Sequence, residues 1–455
     1  MEYICGMQNE TICALATPNG TGAIGIIRVS GEKSLSIVST FFSKDLAKTP
    51  SHTLHFGTFK NNQGEILDEV LISVFHEGKS FTGEQSAEIS CHGSSYILQA
   101  VMETLVQGGC RIAEPGEFTK RAFLNGKIDL SQAEAVADLI ASQSKGMHSL
   151  ALKQLKGHFS DELKSLRQQL IDFASLIELE LDFGEEDVEF ADRDKLQLVL
   201  EQVLDHVKKL AASFELGNVM KKGVPVAIVG APNTGKSTLL NRLIGEERAI
   251  VSDIAGTTRD VIEELINIDG ILFRFIDTAG IRETTEKIES IGIERAKKKI
   301  EEARLVICMA DAVEDLQDVR SWAEELQNKH LDKNIITVLN KCDLLNEQTI
   351  SDEIYLISAK NGDGVESLKK QLAANILGAE DWTNQTIVTS ARHHEALLKT
   401  IDALDQVLYA LKTEISADLI AMDIRNAMYH LGSITGDISS DELLGNIFSR
   451  FCIGK

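Results

Sequence analysis

Residues 230–237 read Gly230-Ala-Pro-Asn-Thr-Gly235-Lys236-Ser237, the pattern GxxxxGK(S/T), set between an apolar stretch, Pro225–Val229, and the helical run Thr238-Leu-Leu-Asn-Arg-Leu243. Glycines let such a loop curl until its N–H groups face phosphate oxygens, and the helix N-terminus adds positive potential. Lys236 then reaches the β- and γ-phosphates, and Ser237 offers its hydroxyl to Mg2+. Two later segments extend the pattern. Asp277-Thr278-Ala279-Gly280 supplies a carboxylate for Mg2+ through water and, at Gly280, an N–H for the γ-phosphate. Asn340-Lys341-Cys342-Asp343 follows a fully apolar strand. The Asp343 carboxylate accepts from guanine N1–H and the 2-amino group, whereas adenine would leave it buried and unpaired. Ser358-Ala359-Lys360 adds backbone contacts to the base. These elements in this order predict a GTP site, with Thr234 and Thr238 beside Lys236 and Ser237 in its wall.

Hydrolysis requires a positioned water and neutralised phosphate charge. The residue after Gly280 is Ile281, where GTPases of the Ras type carry a water-orienting Gln. Arg259 and Arg282 lie nearby in sequence, but neither reads as an arginine finger. Asn233, together with Ser252-Asp-Ile-Ala-Gly-Thr-Thr258, offers side-chain and backbone oxygens able to cage a monovalent cation beside the phosphates.

The elements that must hold these residues alternate between strand and helix over residues 224–380, the pattern of an α/β sheet. Candidate strands are Pro225–Val229, Ile271–Ile276, Leu305–Ala310, Ile335–Leu339 and Ile354–Ile357. Ile262–Ile268 meets Ile271–Ile276 through Asp269-Gly270, a hairpin signal that predicts one antiparallel edge on a mainly parallel sheet. Residues 11–90 read mostly as strands: Ala23–Val29, Leu54–Phe59, Leu67–Phe75 and Ala87–Cys91, before a helix over Ser95–Gln107 ended by Gly108-Gly109. From Leu130 the pattern turns helical, with Ser131 and Glu134 spaced as a capping box. Leu163, Leu166, Leu170, Phe173 and Ile177 form one apolar stripe, read as bundle core. Glu178–Asp194 carries nine carboxylates against Arg193 alone. A metal site fits this stretch, but a solvated loop fits better because no His or Cys punctuates it. After Asn384 the sequence is helical again, so the α/β module reads as inserted into a helical domain.

At 455 residues the chain predicts two to three domains. No apolar run approaches the roughly 20 residues that span a bilayer, and the acidic start Met1-Glu2-Tyr3 is no secretory signal. Seven scattered cysteines without a CxxC suit a reducing, cytoplasmic setting. The net charge of −23 excludes a general nucleic-acid binder, so any RNA contact needs a local basic patch or a partner.

Further segments carry a resemblance: Thr11-Ile-Cys-Ala-Leu-Ala-Thr-Pro18, Gly25-Ile-Ile-Arg28-Val-Ser-Gly31, Phe81-Thr-Gly-Glu84, Pro115-Gly-Glu-Phe-Thr-Lys-Arg-Ala-Phe-Leu-Asn-Gly-Lys127, Gly256-Thr-Thr-Arg-Asp260 and the closing Phe451-Cys-Ile-Gly-Lys455. On these the chain resembles the MnmE (TrmE) family of tRNA-modification GTPases over essentially its whole length. The resemblance implies an N-terminal α+β folate-binding domain (1–127) that dimerises. It also implies a discontinuous helical domain (128–220 and 381–455) and an inserted Ras-like P-loop GTPase domain (221–380). It implies potassium held by Asn233, Ser252, Ile254 and Thr257, magnesium by Ser237 and Thr258, and a water-orienting Glu289, which sequence alone does not separate from Glu283, Glu286 or Glu294. It places 5-formyltetrahydrofolate or a related tetrahydrofolate on Arg28, Glu88, Lys127 and Lys455. The pterin edge suits a carboxylate and the glutamate tail suits cations. Cys452 reads equally as a buried thiol or as a modification-site residue. The implied partners are a second copy of the chain, an FAD protein of the MnmG (GidA) type in a heterotetramer-like complex, and tRNA modified at carbon 5 of the wobble uridine. His92-Gly93-Ser94-Ser95 departs from the family's usual His-Gly-Gly. A competing class, a GTP-driven switch in ribosome or RNA assembly, shares the nucleotide motifs but should carry a basic RNA-binding domain, and none is visible.

Overall fold

The computed structural model describes residues 10–182, 193–247, 263–276, 298–313, 316–331, 333–345, 354–377, 385–413, 417–449 and 451–454. They fall into two compact units, Met1–Ala137 with Gly432–Lys455, and Asp138–Leu431.

The first unit is built on β1 (Ile12–Leu15), β2 (Ile24–Ser30), β3 (Thr53–Lys60), β4 (Ile66–Phe75), β5 (Ser86–His92) and β6 (Arg111–Ile112), ordered β3-β4-β5-β2-β1-β6. All neighbours are antiparallel except β1 and β6. Inward residues Ile27, Val29, Val70, Ile72, Val74, Ala87 and Ile89 alternate with outward ones, the period-2 pattern of a sheet covered on one face. The covering elements are α1 (Ser34–Phe41) and α2 (Ser95–Gln107). The first of these was not anticipated in a stretch read as strands. Leu35, Val38 and Phe41 recur at steps of three and bury one stripe, a helical signal shorter than a reading window.

Two further helices follow, α3 (Glu117–Leu124) and α4 (Leu130–Ala141). The capping box of α4 is displaced from its expected place. Asp129, not Ser131, is the cap: its Oδ1 accepts from Gln132 N at 2.9 Å, while Gln132 Oε1 accepts from Asp129 N at 2.9 Å. Ser131 lies inside the helix, fully buried. An Asp two residues upstream offers the same reciprocal pairing, and burial of Leu130 and Ala133 against Leu444, Ile447 and Phe448 of the C-terminal helix Asp441–Phe448 selects that register.

The second unit begins with helices α5 (Lys145–Leu155), α6 (His158–Asp182), α7 (Arg193–Ala212) and α8 (Phe214–Lys222). The α6 stripe Leu163, Leu166, Leu170, Phe173 and Ile177 is buried throughout, as its spacing predicts. The helix runs on through Asp182, so the acidic stretch starts as helix rather than loop, and residues 183–192 lie outside the described residues.

Next come β7 (Val224–Val229), α9 (Lys236–Glu247), β8 (Glu264–Ile268), β9 (Ile271–Phe275), β10 (Leu305–Asp311), α10 (Leu316–Lys329), β11 (Asn334–Asn340), β12 (Ile354–Ile357) and α11 (Val365–Leu377). The strands order as β12-β11-β10-β7-β9-β8, parallel except for the β8–β9 hairpin. Central strands are apolar along their length because both faces are covered. At the hairpin, Asp269 (φ 50°) and Gly270 (φ 84°) both take positive φ, the conformation that a two-residue turn of matching twist demands. Helices α12 (Ala391–Lys412) and α13 (Ala417–Thr435) follow the sheet, ahead of the C-terminal helix Asp441–Phe448. No described helix is long and apolar enough to cross a membrane.

Candidate functional site

The loop between β7 and α9 holds the first cluster. Gly230 takes φ 154°, and a Cβ there would lie 2.0 Å from the Met309 carbonyl oxygen, so β10 presses on the loop's first residue and only glycine fits. Asn233 adopts φ 64°, a left-handed conformation that Asn tolerates better than most residues, and its side chain is exposed at the loop's bend. Thr234 is buried, its hydroxyl donating to Ala231 O at 2.9 Å. Lys236 Nζ donates to Gly230 O at 2.9 Å and to Ala231 O at 2.7 Å, which holds the ammonium over the loop. Burial, and then the nearby Lys299 charge, push the Lys236 pKa below its usual value. An anion beside this ammonium therefore relieves an existing cost. Ser237 opens α9, half-buried, and Thr238 is exposed.

Asn340, at the end of β11, joins that loop to the segment after β12. Its Nδ2 donates to Thr234 O at 2.8 Å, and its Oδ1 accepts from Ala359 N at 2.9 Å. Lys341 turns out of the strand with φ 68° and pairs through Nζ with Asp311. Asp343 is exposed on the 3-10 turn Cys342–Leu344, and its Oδ1 accepts from Ser358 Oγ at 2.7 Å. Ser358 Oγ in turn accepts from Asn361 N at 3.2 Å. Arg242, on α9, donates from Nε to Ala359 O at 3.1 Å and from its terminal nitrogen to Lys360 O. Thus Asn233, Thr234, Gly235, Lys236, Ser237, Asn340, Lys341, Asp343, Ser358, Ala359 and Lys360 converge at the C-terminal ends of β7, β11 and β12, where parallel sheets bind ligands. Sequence reasoning missed Asp311 and Arg242. Asp311 ends an apolar strand as Asn340 does, a usable signal, whereas nothing local marks Arg242.

Ser252, Ile254, Thr257, Thr258, Asp277, Thr278, Ala279, Gly280, Ile281 and Glu289 lie outside the described residues. Among the described residues no group of three His, Cys, Asp or Glu could hold a metal ion.

A second cluster sits in the first unit. Arg28, on β2, pairs with Glu88 of β5, its register partner, with Nε–Oε1 at 2.9 Å and a terminal nitrogen at 2.8 Å. The guanidinium carbon lies 5.9 Å from the Phe81 ring centroid and 5.7 Å from that of Phe118. Its NH1 reaches Gly454 O at 3.5 Å. The C-terminal tail is brought there by Gly454, whose Cβ, if it had one, would lie 2.3 Å from Leu15 O on β1, and by Gly116 N donating to Cys452 O at 3.3 Å. Lys127 Nζ donates to Gly78 O at 3.0 Å on the loop that carries Phe81. Lys455 lies outside the described residues. Cys452 is exposed, while Cys13, Cys91, Cys110, Cys308 and Cys342 are buried. The buried-thiol reading of Cys452 is therefore set aside.

Behind this cluster the motif residues Glu84, Glu117 and Arg121 form a buried network. Arg121 meets Glu84 at 3.1 Å and Glu117 at 2.9 Å, Arg111 meets Glu117 at 2.5 Å, and Ser30 Oγ donates to Glu84 at 2.7 Å. Burial alone would raise the Glu117 pKa. Hydrogen bonds from Arg111, Glu114 N and Arg121 outweigh it and hold the carboxyl below the usual range. These residues tie Ser30 at the end of β2 and Glu84 to α3, and none of their bonds is made to Arg28.

A mainly parallel sheet with the GxxxxGKS loop after β7 and the Asn340-Lys-Cys-Asp343 turn after β11 defines the chain as a P-loop GTPase. The family description "GTP-binding protein TrmE N-terminus" matches residues 11–127, and "MnmE helical domain" matches residues 130–452. The chain belongs to the MnmE (TrmE) family. The protein named tRNA modification GTPase MnmE from Flavobacterium johnsoniae is 52% identical over 99% of this chain and 100% of its own length. Its namesake from Cytophaga hutchinsonii is 52% identical over 98% of each chain. Among solved structures, a variant of Aquifex aeolicus Era bound to GDP.AlF4− is 31% identical over 39% of this chain and 65% of that one, at a TM-score of 0.25.

Proposed function

We propose that this chain is a potassium-activated GTPase that acts with an FAD-dependent partner of the MnmG type to modify carbon 5 of the wobble uridine in certain tRNAs. The observation that carries the GTP half is Asn340, which joins the phosphate loop to the base-contacting segment and leaves Asp343 presented at the site's rim. On this reading Lys236, Thr234, Gly235 and Thr238 face the phosphates, and Asp343, Ser358, Ala359, Lys360, Asn340 and Lys341 face the base. Thr278, Ala279 and Gly280 approach the γ-phosphate. Ser237 and Thr258 would hold Mg2+, and Asn233, Ser252, Ile254 and Thr257 would hold K+. Such ions neutralise charge on the phosphate oxygens. Glu289 orients the attacking water in place of the Gln absent at position 281.

The tRNA half rests on the family. The Arg28–Glu88 pair, flanked by the Phe81 and Phe118 rings, supports a tetrahydrofolate there, with Lys127 and Lys455 on its glutamate tail and Cys452 exposed nearby on the same tail segment. The domain limits 1–127, 128–220, 221–380 and 381–455, dimerisation through the N-terminal domain, and a cytoplasmic setting belong to the same reading.

The test is steady-state GTP hydrolysis in potassium against sodium at equal ionic strength, on wild type and Glu289→Ala. Strong potassium dependence with loss of turnover in the variant is expected. Equal turnover in the two salts would overturn the cation cage.

A further inference from the structure

Asp and Glu number 69 in this 455-residue chain, about one position in seven. Between Asp138 and Asp161 there is none, while Lys145, His148, Lys153, Lys156 and His158 fall in that interval. These residues lie on α5, the turn that follows it and the first position of α6. At 100° per residue, Lys145, His148, Ser149, Leu152 and Lys156 share one face of the helix. Lys145, His148, Lys156 and His158 are exposed. At the C-terminal end of the helix opens a cavity of about 240 Å3 lined by Lys153, Gln154, His158, Phe159, Gln385 and Thr386 among others.

Helix stability does not account for this arrangement. Lys153 and Lys156 near the helix C-terminus favour the macrodipole, but Lys145 and His148 occupy the first turn, where a cation opposes it. Of the carboxylates that flank this stretch among the described residues, two are already paired. Asp138 is engaged by Lys221 at 2.6 Å, Glu162 pairs with His206, Asp161 opens the next helix, and Asp269 stands at the hairpin tip, where Gly146 N donates to Gly270 O at 2.9 Å. The result is a strip of exposed basic side chains one helix long on an acidic chain, ending in a recess of mixed polar and apolar lining.

We propose that the exposed face of α5, with the recess at its end, is the surface on which this chain receives the phosphate backbone of RNA. The proposal rests on the tRNA reading above and deepens it by saying how a chain of net charge −23 meets a polyanion. The recess is shaped for a nucleotide lifted from that backbone, with Phe159 and Leu150 as apolar wall and His158 and Gln385 as hydrogen-bonding groups.

The test uses the full chain and an unmodified tRNA transcript with uridine at the wobble position, titrated by filter binding from 50 to 200 mM salt. The double variant Lys145→Gln/Lys156→Gln is expected to lose about tenfold in affinity and about two units of salt slope, one per lost phosphate contact. A control, Lys48→Gln/Lys60→Gln, removes equal charge from the first unit and is expected to bind as wild type does. Equal weakening by both doubles, or by neither, overturns the surface. A wild type that binds no transcript at 50 mM salt overturns it together with direct RNA contact. Potassium-dependent GTP turnover, measured on the same samples, reports separately on the GTPase reading and should be unchanged in both doubles.

Discussion

Replacing Asn340 by Ala removes a side chain that bonds both the phosphate loop and the segment after β12. Asn340 is 4% exposed, so the Thr234 carbonyl and the Ala359 N–H that it satisfies lose their partner where water has little access. An orphaned buried polar group costs about 1–3 kcal/mol. Two of them sum to roughly 2–6 kcal/mol if neither finds another partner. The cost falls on the arrangement that binds nucleotide, so where the nucleotide-free chain keeps its stability the loss should appear as a drop in GTP affinity of about 30-fold. Titration calorimetry with GTP, with urea unfolding of the nucleotide-free chain alongside, divides the cost between binding and folding. The two losses together should reach at least about 2 kcal/mol. GTP affinity within threefold of wild type, with an unshifted urea midpoint, would refute the argument that Asn340 is the joint of the site.

Two further outcomes follow from the same geometry. Asp343→Asn should exchange preference for guanine against xanthine nucleotides while leaving the unfolding midpoint in place, because an amide oxygen still accepts the Ser358 hydroxyl; retained GTP affinity in competition binding would sink the base-reading role. Glu117, held below its usual pKa by its arginine neighbours, contributes stability that is complete above the unfolded carboxylate value near about 4.3 and is lost as pH falls through the lower folded value. Glu117→Gln should flatten the acid limb of the first unit's stability profile and destabilise it by about 1–2 kcal/mol, since an amide oxygen still accepts there, Arg111 keeps Glu10 and Arg121 keeps Glu84. An unchanged limb in thermal melts from pH 6 to pH 3 would show that the network does not titrate.

Some of this protein was decided within short stretches of sequence. The phosphate loop, the Asp269-Gly270 hairpin, the apolar strands of the second sheet and the α6 stripe are each signalled within a few residues, where composition and spacing carry the information. The place of Asp343 was legible for the same reason, since it follows a strand whose burial its own residues announce. Short or displaced signals were not legible. The stripe of α1 spans only three apolar residues, and the cap of α4 moved to Asp129 because packing against the C-terminal helix chose the register. What only the tertiary structure decided joins residues far apart in the chain. Asn340 reaches Thr234 across 106 positions, Arg242 braces Lys360 across 118, and Arg28 meets Gly454 across 426. No local pattern encodes such pairs, because each exists only once buried backbone groups and charges, removed from water by folding, must find partners among whatever side chains the packed elements bring near.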